Sequence, residues 1–326
     1  MINKIGLTMC KRFGWMAAIV SVVAALGPTA GWSEPWHHEI GRDHPAAGKI
    51  FAAVNAVDEA SLIGRIAAAD FLLLGEKHDN GDHHRLQARL LRAVIARGRQ
   101  IGVAFEAFAI DQQEKINGFI AKTHSVDGLD RVVGWDRAGW PDWSFYRPLA
   151  QIALTEGAPI LAANWPRPKI MAIYKQGVAV LPPSLVARTG LDRPLDPAAS
   201  DRLYQALVTS HCGMAPESVI SGMKNVQRAR DALMAERLAS LPTGVQGVLI
   251  AGAGHVRRDF GVPFYLRNLR PGARIVSLAF WEVDLDGDDV PNAGETTFDY
   301  IWMTPRVDNK DPCATHRQQL KKLPDR

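Results

Sequence analysis

Residues 71–84 join a short apolar run to a dense polar segment, and this junction constrains the fold more than any other feature. The apolar residues Phe71–Leu74 predict a buried strand, because a continuous apolar run of that length suits a sheet covered on both faces. The run stops at Gly75, and carboxylates and imidazoles follow. Leucines at helical spacing resume at Leu86, and Gly98 is a predicted C-cap. A strand, a polar loop and a helix in this order are typical of the functional edge of an open α/β sheet.

The first 33 residues predict a cleaved secretory signal. A basic start precedes an apolar stretch at 14–26 that is short for a membrane span. A retained single-span anchor is the alternative. The segment carries Lys4, Lys11 and Arg12 and no acid, so its removal lowers the formal net charge from +4 to +1. No basic excess then remains to neutralise phosphates. We therefore expect a periplasmic or secreted protein with no nucleic-acid partner.

The three cysteines leave two questions open. Cys10 precedes the apolar stretch and is wrongly placed for lipid attachment, so membrane association stays open without a lipid-attachment cysteine. Cys212 and Cys313 remain after cleavage. In an oxidising compartment this pair permits one disulfide, and two independent buried thiols are the alternative.

Strand patterns alternate with helix patterns on both sides of a helical segment. Besides the first run, the predicted strands are an edge strand within Lys49–Val54 and the runs Ile101–Phe105, Pro159–Ala163, Gly247–Ala251, Arg274–Phe280 and Tyr300–Met303. Residues 169–240 show only helical patterns and turns. We predict an α/β fold, a mainly parallel sheet flanked by helices, with a small helical insertion domain. The domain would span 34–326, with its α/β core at about 45–168 and 241–310 and the insertion at about 169–240.

Polar residues follow four of the predicted strands. Glu76 and His78 follow the first run, Glu106 the second, Asn164 the third and His255 the fourth. Parallel strands deliver their carboxyl ends to one edge, so we expect these side chains to converge. Two carboxylates and two imidazoles suit a divalent metal site of mixed ligands. They suit equally a metal-free site in which a carboxylate orients a histidine base.

Six motifs, in order, resemble those of the ChaN family of haem-binding uptake proteins, within the superfamily of Tiki, TraB and erythromycin-esterase-like proteins. They are GExHDNxDHHxxQ at 75–87, FExF at 105–108, WxxYRP at 143–148, AANxPR at 162–167, QxxRDxxMA at 227–235 and GxGHVRxDxGVPxYL at 252–266. The resemblance implies an α/β core with a small helical domain, an envelope location, and haem or iron acquisition.

The resemblance also implies roles for particular residues. In hydrolytic relatives, the positions of Glu76, His78, Glu106 and His255 form a metal site or a His/Glu site that activates water. In the haem-binding branch, an iron ligand is a tyrosine, with basic or imidazole groups holding the propionates. The matched tyrosines are Tyr146 and Tyr265, and the matched cationic or imidazole groups are His83, His84 and Arg147. For the tyrosines, the alternative is a structural hydroxyl inside the core. For the two histidines, it is a solvated helix start.

The preferred hypothesis is a periplasmic haem-binding protein of haem or iron uptake. Whether it forms a homodimer that holds haem at its interface stays open. Two features motivate the hypothesis, namely the tyrosines and the aromatic segment Trp135–Tyr146, which is either a packed cap or a wall for a flat ligand. The alternative is a hydrolase of ester or peptide bonds, with or without a divalent metal. A scaffold protein with a relic site is the third reading.

Overall fold

One sheet of eight strands dominates the computed structural model, which describes residues 35–287, 297–311, 313 and 314. The strands are β1 Ile50–Ala52, β2 Asn55–Val57, β3 Phe71–Glu76, β4 Ile101–Ala109, β5 Ile160–Asn164, β6 Gln246–Gly252, β7 Ile275–Glu282 and β8 Tyr300–Thr304. Their order across the sheet is β2-β1-β8-β7-β3-β6-β4-β5. The pairs among β8, β7, β3, β6, β4 and β5 are all parallel, and only the pairs of β1 are antiparallel. The predicted mainly parallel α/β sheet is therefore confirmed.

Ten α-helices flank this sheet among the described residues. They are α1 Glu59–Ala68, α2 Gly81–Ala96, α3 Gln113–Thr123, α4 Leu129–Val133, α5 Trp143–Thr155, α6 Arg167–Gln176, α7 Pro183–Thr189, α8 Pro197–Ser210, α9 Glu217–Ala239 and α10 Val262–Leu269. Helix α2 begins sharply because the side chain of Asn80 accepts hydrogen bonds from the backbone N–H groups of Asp82 and His83.

Two differences between the predicted and the observed strands concern the sheet edge and the site, and the other strands differ by one or two residues at their ends. The strand within Lys49–Val54 is β1, but it lies between β2 and β8, so β2 is the edge strand. The next run continues past Phe105 to Ala109, and its register against β5 shifts within that extension. A shift of this kind frees local side chains from strict alternation, and Glu106 lies inside the shifted part.

The centre of the sheet is covered on both faces, as the apolar run of β3 predicts. Leu72 and Leu74 pack in one hydrophobic cluster, whereas Phe71 and Leu73 pack in another. Alternate residues of a strand point to opposite faces, so a strand with four fully apolar positions needs cover on each side. Helix α2 belongs to the first cluster and α9 to the second. Residues 167–239 contain helices and no strand, but α9 packs on the sheet itself.

A disulfide joins Cys212 and Cys313, which are 101 residues apart in sequence. It decides between the two alternatives for this pair. The bond ties the loop after α8 to the chain beyond β8. A cross-link that closes a loop of about 100 residues removes about 4–5 kcal/mol of chain entropy from the unfolded state.

We expect Cys212→Ser to lower the free energy of unfolding by about 2–5 kcal/mol, because loss of the cross-link gives the unfolded chain back that entropy. Urea unfolding with and without dithiothreitol measures the effect. The reductant should bring the native protein down to the midpoint of the variant and leave the variant unchanged. An unfolding midpoint of the native protein that ignores the reductant contradicts a stabilising bond.

The predicted signal segment lies outside the described residues. Among the described helices, no single one has the length and apolar character of a membrane span, and one sharply bent pair, Arg167–Val180 with Pro183–Thr189, meets those criteria by length and composition.

Candidate functional site at the carboxyl edge of the sheet

The four polar strand ends lie side by side, because β3, β6, β4 and β5 are consecutive in the sheet. Nδ1 of His78 lies 3.0 Å from Oε1 of Glu76. Nε2 of His255 lies 3.5 Å from Oε1 of Glu106. The strand ends therefore converge as the sequence predicts, with the two carboxylates each facing an imidazole.

Glu76 is a buried carboxylate held by neutral donors. Its Oε1 accepts a hydrogen bond of 2.7 Å from the hydroxyl of Tyr146, and its Oε2 accepts one of 2.7 Å from the amide of Gln87. Nδ1 of His84 lies 3.3 Å from Oε2. Burial alone would raise the pKa of this carboxyl, but the imidazoles of His84 and His78 outweigh burial and lower the pKa of Glu76. Glu76 is thus a fixed anion that orients His78.

His78 is the part of this cluster that reaches solvent, because 38% of its side chain is exposed. Its ring meets the indole of Trp140 edge to face, with the ring centroids 4.8 Å apart. A Cβ at residue 252 would lie 3.0 Å from Cε1 of His78, so Gly252 permits this approach. Burial lowers the pKa of His78, but the charges of Glu106 and Glu76 raise it by more.

Glu106 is the second buried carboxylate, and it is only 2% exposed. A guanidinium N–H of Arg230 donates to its Oε1, and the backbone N–H of Gly252 donates to its Oε2 at 2.7 Å. Nε2 of His78 lies 3.9 Å from Oε1. Burial would raise the pKa of Glu106, but His255 and then Arg230 hold it well below its ordinary value. Glu106 is therefore ionised and lies between two imidazoles and a guanidinium.

His255 is clamped from its other side by α9. Its Nδ1 lies 2.5 Å from Oδ1 of Asp231 and 2.9 Å from the amide of Gln227. Burial would lower the pKa of His255, but Glu106 and Asp231 raise it to about 9. Burial raises the pKa of Asp231 to about 6 against the charge of His255. Near neutral pH, His255 is an imidazolium with a carboxylate on each side.

Sequence reasoning missed the three α9 residues that complete the cluster. Gln227, Arg230 and Asp231 lie three and four residues apart, which places them on one face of a helix. That spacing is the signal in the motif at 227–235. The spacing alone does not place these residues in the site, because the segment shows no strand pattern and its contact with the strand ends is a tertiary feature.

A cavity of about 1070 Å³ opens beside this cluster. Residues 133–141 and 164–170 supply most of its lining, and His78, Glu106 and Arg230 form its inner end. The described part of the lining includes indoles, prolines and exposed guanidinium groups, namely Trp140, Trp165, Pro141, Pro166, Arg137 and Arg167. Its volume lies just above the range of about 300–1,000 Å³ that is usual for small-molecule sites.

The family model described as "Haem-binding uptake, Tiki superfamily, ChaN" matches residues 62–266. The chain belongs to this family. Among solved structures, the chain is similar to one that describes cofacial haem binding to ChaN of Campylobacter jejuni. The two sequences are 21% identical, the alignment covers 78% of this chain and 95% of that chain, and the TM-score is 0.60. The structure of a mutant of the erythromycin esterase EreC in its open conformation is 12% identical, covers 89% and 87%, and has a TM-score of 0.40. No curated protein matches the chain.

Both tyrosines singled out in this ChaN-family chain lie inside the protein. Tyr146 is 1% exposed, and its hydroxyl donates to Glu76. Tyr265 is fully buried, and its hydroxyl accepts a hydrogen bond of 3.1 Å from Arg228. No tyrosine is among the described residues that line the large cavity. Axial ligation by either tyrosine stays a prediction, and it would require the hydroxyl to leave its present partner.

The other groups assigned to haem also lie away from the large cavity. His83 is buried, with Nδ1 accepting from the backbone N–H of Lys77 and Nε2 near the hydroxyl of Thr304. His84 is buried under Phe145, with Nε2 2.9 Å from the backbone oxygen of His78. Arg147 forms an exposed ion pair with Asp127. Neither histidine is a solvated helix start.

The metal role of Glu76, His78, Glu106 and His255 receives no support from their arrangement. Across the described residues, no group of three or more His, Cys, Asp or Glu side chains is placed to hold a metal ion. His78 lies closest to Glu76 and His255 closest to Asp231. A guanidinium N–H of Arg230 donates to Oε1 of Glu106, which both histidines approach. A guanidinium beside a carboxylate competes with a cation for the same lone pairs.

Proposed function

We propose that this chain binds haem in the large cavity at the carboxyl edge of the sheet and serves haem or iron uptake in the periplasm. The observation that carries the proposal is the cavity itself. It combines indole rings, an imidazole and free-standing cations in one space, and the family of the chain is haem-binding.

The lining meets the three demands that haem makes of a protein. The half-buried Trp140, Pro141 and Pro166 offer apolar surface for a porphyrin. Arg137 and Arg167 are exposed, and no described carboxylate pairs with them, so both guanidinium groups can hold propionates. His78 offers an imidazole, which is a usual ligand of haem iron.

We assign the iron to His78 rather than to Tyr146 or Tyr265. The ring of His78 is the one partly exposed imidazole in the described lining of the cavity. Its Nδ1 faces the buried carboxylate of Glu76. Metal-binding histidines usually have their second ring nitrogen on a carboxylate in this manner, because the contact fixes the ring and its tautomer. The phenols, in contrast, both have protein partners.

The location rests on two independent features. The predicted signal at residues 1–33 directs the chain out of the cytoplasm. The Cys212–Cys313 disulfide supports the same compartment, because such bonds persist in the periplasm and are rare in the cytosol. Haem that enters a cell envelope must cross this space, so a binding protein there can take part in uptake.

A haemin titration of the purified protein tests the proposal. We expect a saturable Soret spectrum with one haem for each cavity. Charge removal at both cavity cations, Arg137→Gln with Arg167→Gln, should weaken haemin by about tenfold or more, because each propionate loses a charge-assisted hydrogen bond. Arg188→Gln, an exposed arginine away from the cavity, is the matched control. A flat titration would eliminate the proposed function.

One observation favours hydrolysis as a second candidate. His255 lies between the buried carboxylates of Asp231 and Glu106, and Glu106 lines the cavity. In this pair the carboxylate of Glu106 is the group that could take a proton from water for attack on an ester or peptide bond, with the imidazolium of His255 beside it. The experiment is a panel of ester and peptide substrates with the native protein and Glu106→Gln. Turnover that the variant loses by about 100-fold or more supports this candidate, in line with the usual 10²–10⁴-fold contribution of a general base. No turnover in either protein removes it.

A further inference from the structure

Residues of α2 and α5 form most of the lining of two smaller cavities. The first has a volume of about 360 Å³, and the second about 550 Å³. They share Arg92 and Pro148, so they adjoin. We call the two together the α2–α5 groove. Neither contains any residue of the large cavity, and the proposed function leaves this groove unused.

Three arginines line the first half of the groove. Arg85, Arg89 and Arg92 lie four and three residues apart on α2, so they follow one face of the helix, and all three line this cavity. Its described lining includes no carboxylate. Arg85 and Arg89 pair with Asp82 and Glu59 respectively. Those pairs fix two of the guanidinium groups at the wall.

Arg92 is different from its two neighbours. It is exposed, it lines both cavities, and no carboxylate of the described residues forms an ion pair with it. Arg147 on α5 lines the second cavity and is already paired with Asp127. Glu156 is the carboxylate of the second cavity. The junction of the two cavities therefore carries a positive charge that is open to an anion.

The second half of the groove has an apolar floor. Ile95, Ala96 and Ile152 line it, and Phe145 and Pro148 continue the apolar surface toward the first cavity. Apolar surface that leads away from a cationic end suits a molecule with an anionic head and an aliphatic tail. A plain anion would use only the junction, and an uncharged chain would use only the floor.

We propose that the α2–α5 groove binds an anionic amphiphile, with its phosphate-class head on Arg92 and its aliphatic chain along Ile95 and Ile152. This site is separate from the haem cavity. It gives the chain a contact with a lipid-type molecule that needs neither a membrane-spanning helix nor an attached lipid.

Calorimetric titration with dodecyl phosphate, below the concentration at which it forms micelles, tests the proposal. We expect saturable binding that Arg92→Glu weakens by about tenfold or more, since the head group loses a charge-assisted contact and meets a like charge. The matched control is Arg97→Glu, an exposed arginine at the end of the same helix that lines neither cavity. It should bind as the native protein does. Urea unfolding of both variants checks that the fold is kept.

Two further ligands separate the parts of the proposal. Inorganic phosphate and dodecyl maltoside should each bind at least about tenfold more weakly than dodecyl phosphate, because each lacks one of the two contacts. Equal affinity for either one overturns the amphiphile site, as does an Arg92→Glu protein that binds dodecyl phosphate normally. Haemin binding should be unchanged in Arg92→Glu. Loss of haemin binding in Arg92→Glu would place the groove within the haem site and overturn the proposal of a separate site. A native protein that binds no haemin would overturn the proposed function, and the dodecyl phosphate titration would still test the groove.

Discussion

We expect His78→Ala to weaken haemin binding by about 100-fold or more. Loss of an outer contact of a metal ligand typically costs 10–100-fold in affinity, and the ligand itself should cost at least the upper end of that range. The Soret band of any remaining complex should shift, because the iron would lose the imidazole that we propose holds it. The ring is partly exposed, so its removal opens no large void in the core. Titration by visible spectroscopy measures both changes.

The two buried tyrosines provide the controls for this prediction. Tyr265→Phe should leave the haemin spectrum and affinity unchanged, because within the described part of the chain its hydroxyl bonds to Arg228 and to no group of the cavity. Tyr146→Phe removes one donor from Glu76, so it should weaken haemin by about tenfold while the spectrum keeps its type. Tyr146 would then be a positioning residue for His78. A spectrum that changes type in a tyrosine variant and not in His78→Ala would instead assign the iron to that tyrosine.

The convergence of the strand ends could be predicted from sequence because its causes are local. An apolar run that stops at a polar residue marks a strand end, and parallel strands share an edge. Glu76 and Asn164 each end such a strand, whereas Glu106 follows the apolar run of β4 three residues before that strand ends. The order of the strands could not be predicted in the same way. Strand β6 comes late in the chain yet lies between β3 and β4. That insertion is what brings His255 next to Glu106.

The sequence could not predict which side chains of the site are exposed to the cavity and which are buried in the core. Tyr146, His83 and His84 are types that bind haem when they face a cavity, and nothing in their spacing reveals that they face the core. The hydroxyl of Tyr146, both ring nitrogens of His83 and Nε2 of His84 form hydrogen bonds with protein groups, as buried polar groups generally do. His78 lies in the same motif and reaches the cavity. Its direction follows from the glycine at the end of a distant strand, Gly252.

The buried imidazolium of His255 makes the stability of the fold depend on pH. Its pKa is raised from an ordinary value of 6.5 to about 9. A raised pKa contributes stability that is fully present below pH 6.5 and is lost as the pH rises through 9. The raised pKa of Asp231, about 6, contributes stability only at lower pH, because that stability is lost as the pH rises through 6. The lowered pKa of Glu106 contributes stability that is fully present above the ordinary pKa of a glutamate. Between pH 6.5 and 9, His255 therefore sets the direction.

We expect the free energy of unfolding to fall by about 3 kcal/mol between pH 6.5 and 9.5, since deprotonation leaves Glu106 and Asp231 without their shared cation. Urea unfolding across this range measures the fall. His255→Gln should be less stable at pH 6.5 and should lose clearly less as the pH rises. His211→Gln, at a half-exposed histidine, should keep the full dependence. His78 also has a raised pKa and adds a smaller loss of the same sign. If the free energy of unfolding falls equally in His255→Gln and in the native protein, another group loses the proton that destabilises the fold at alkaline pH.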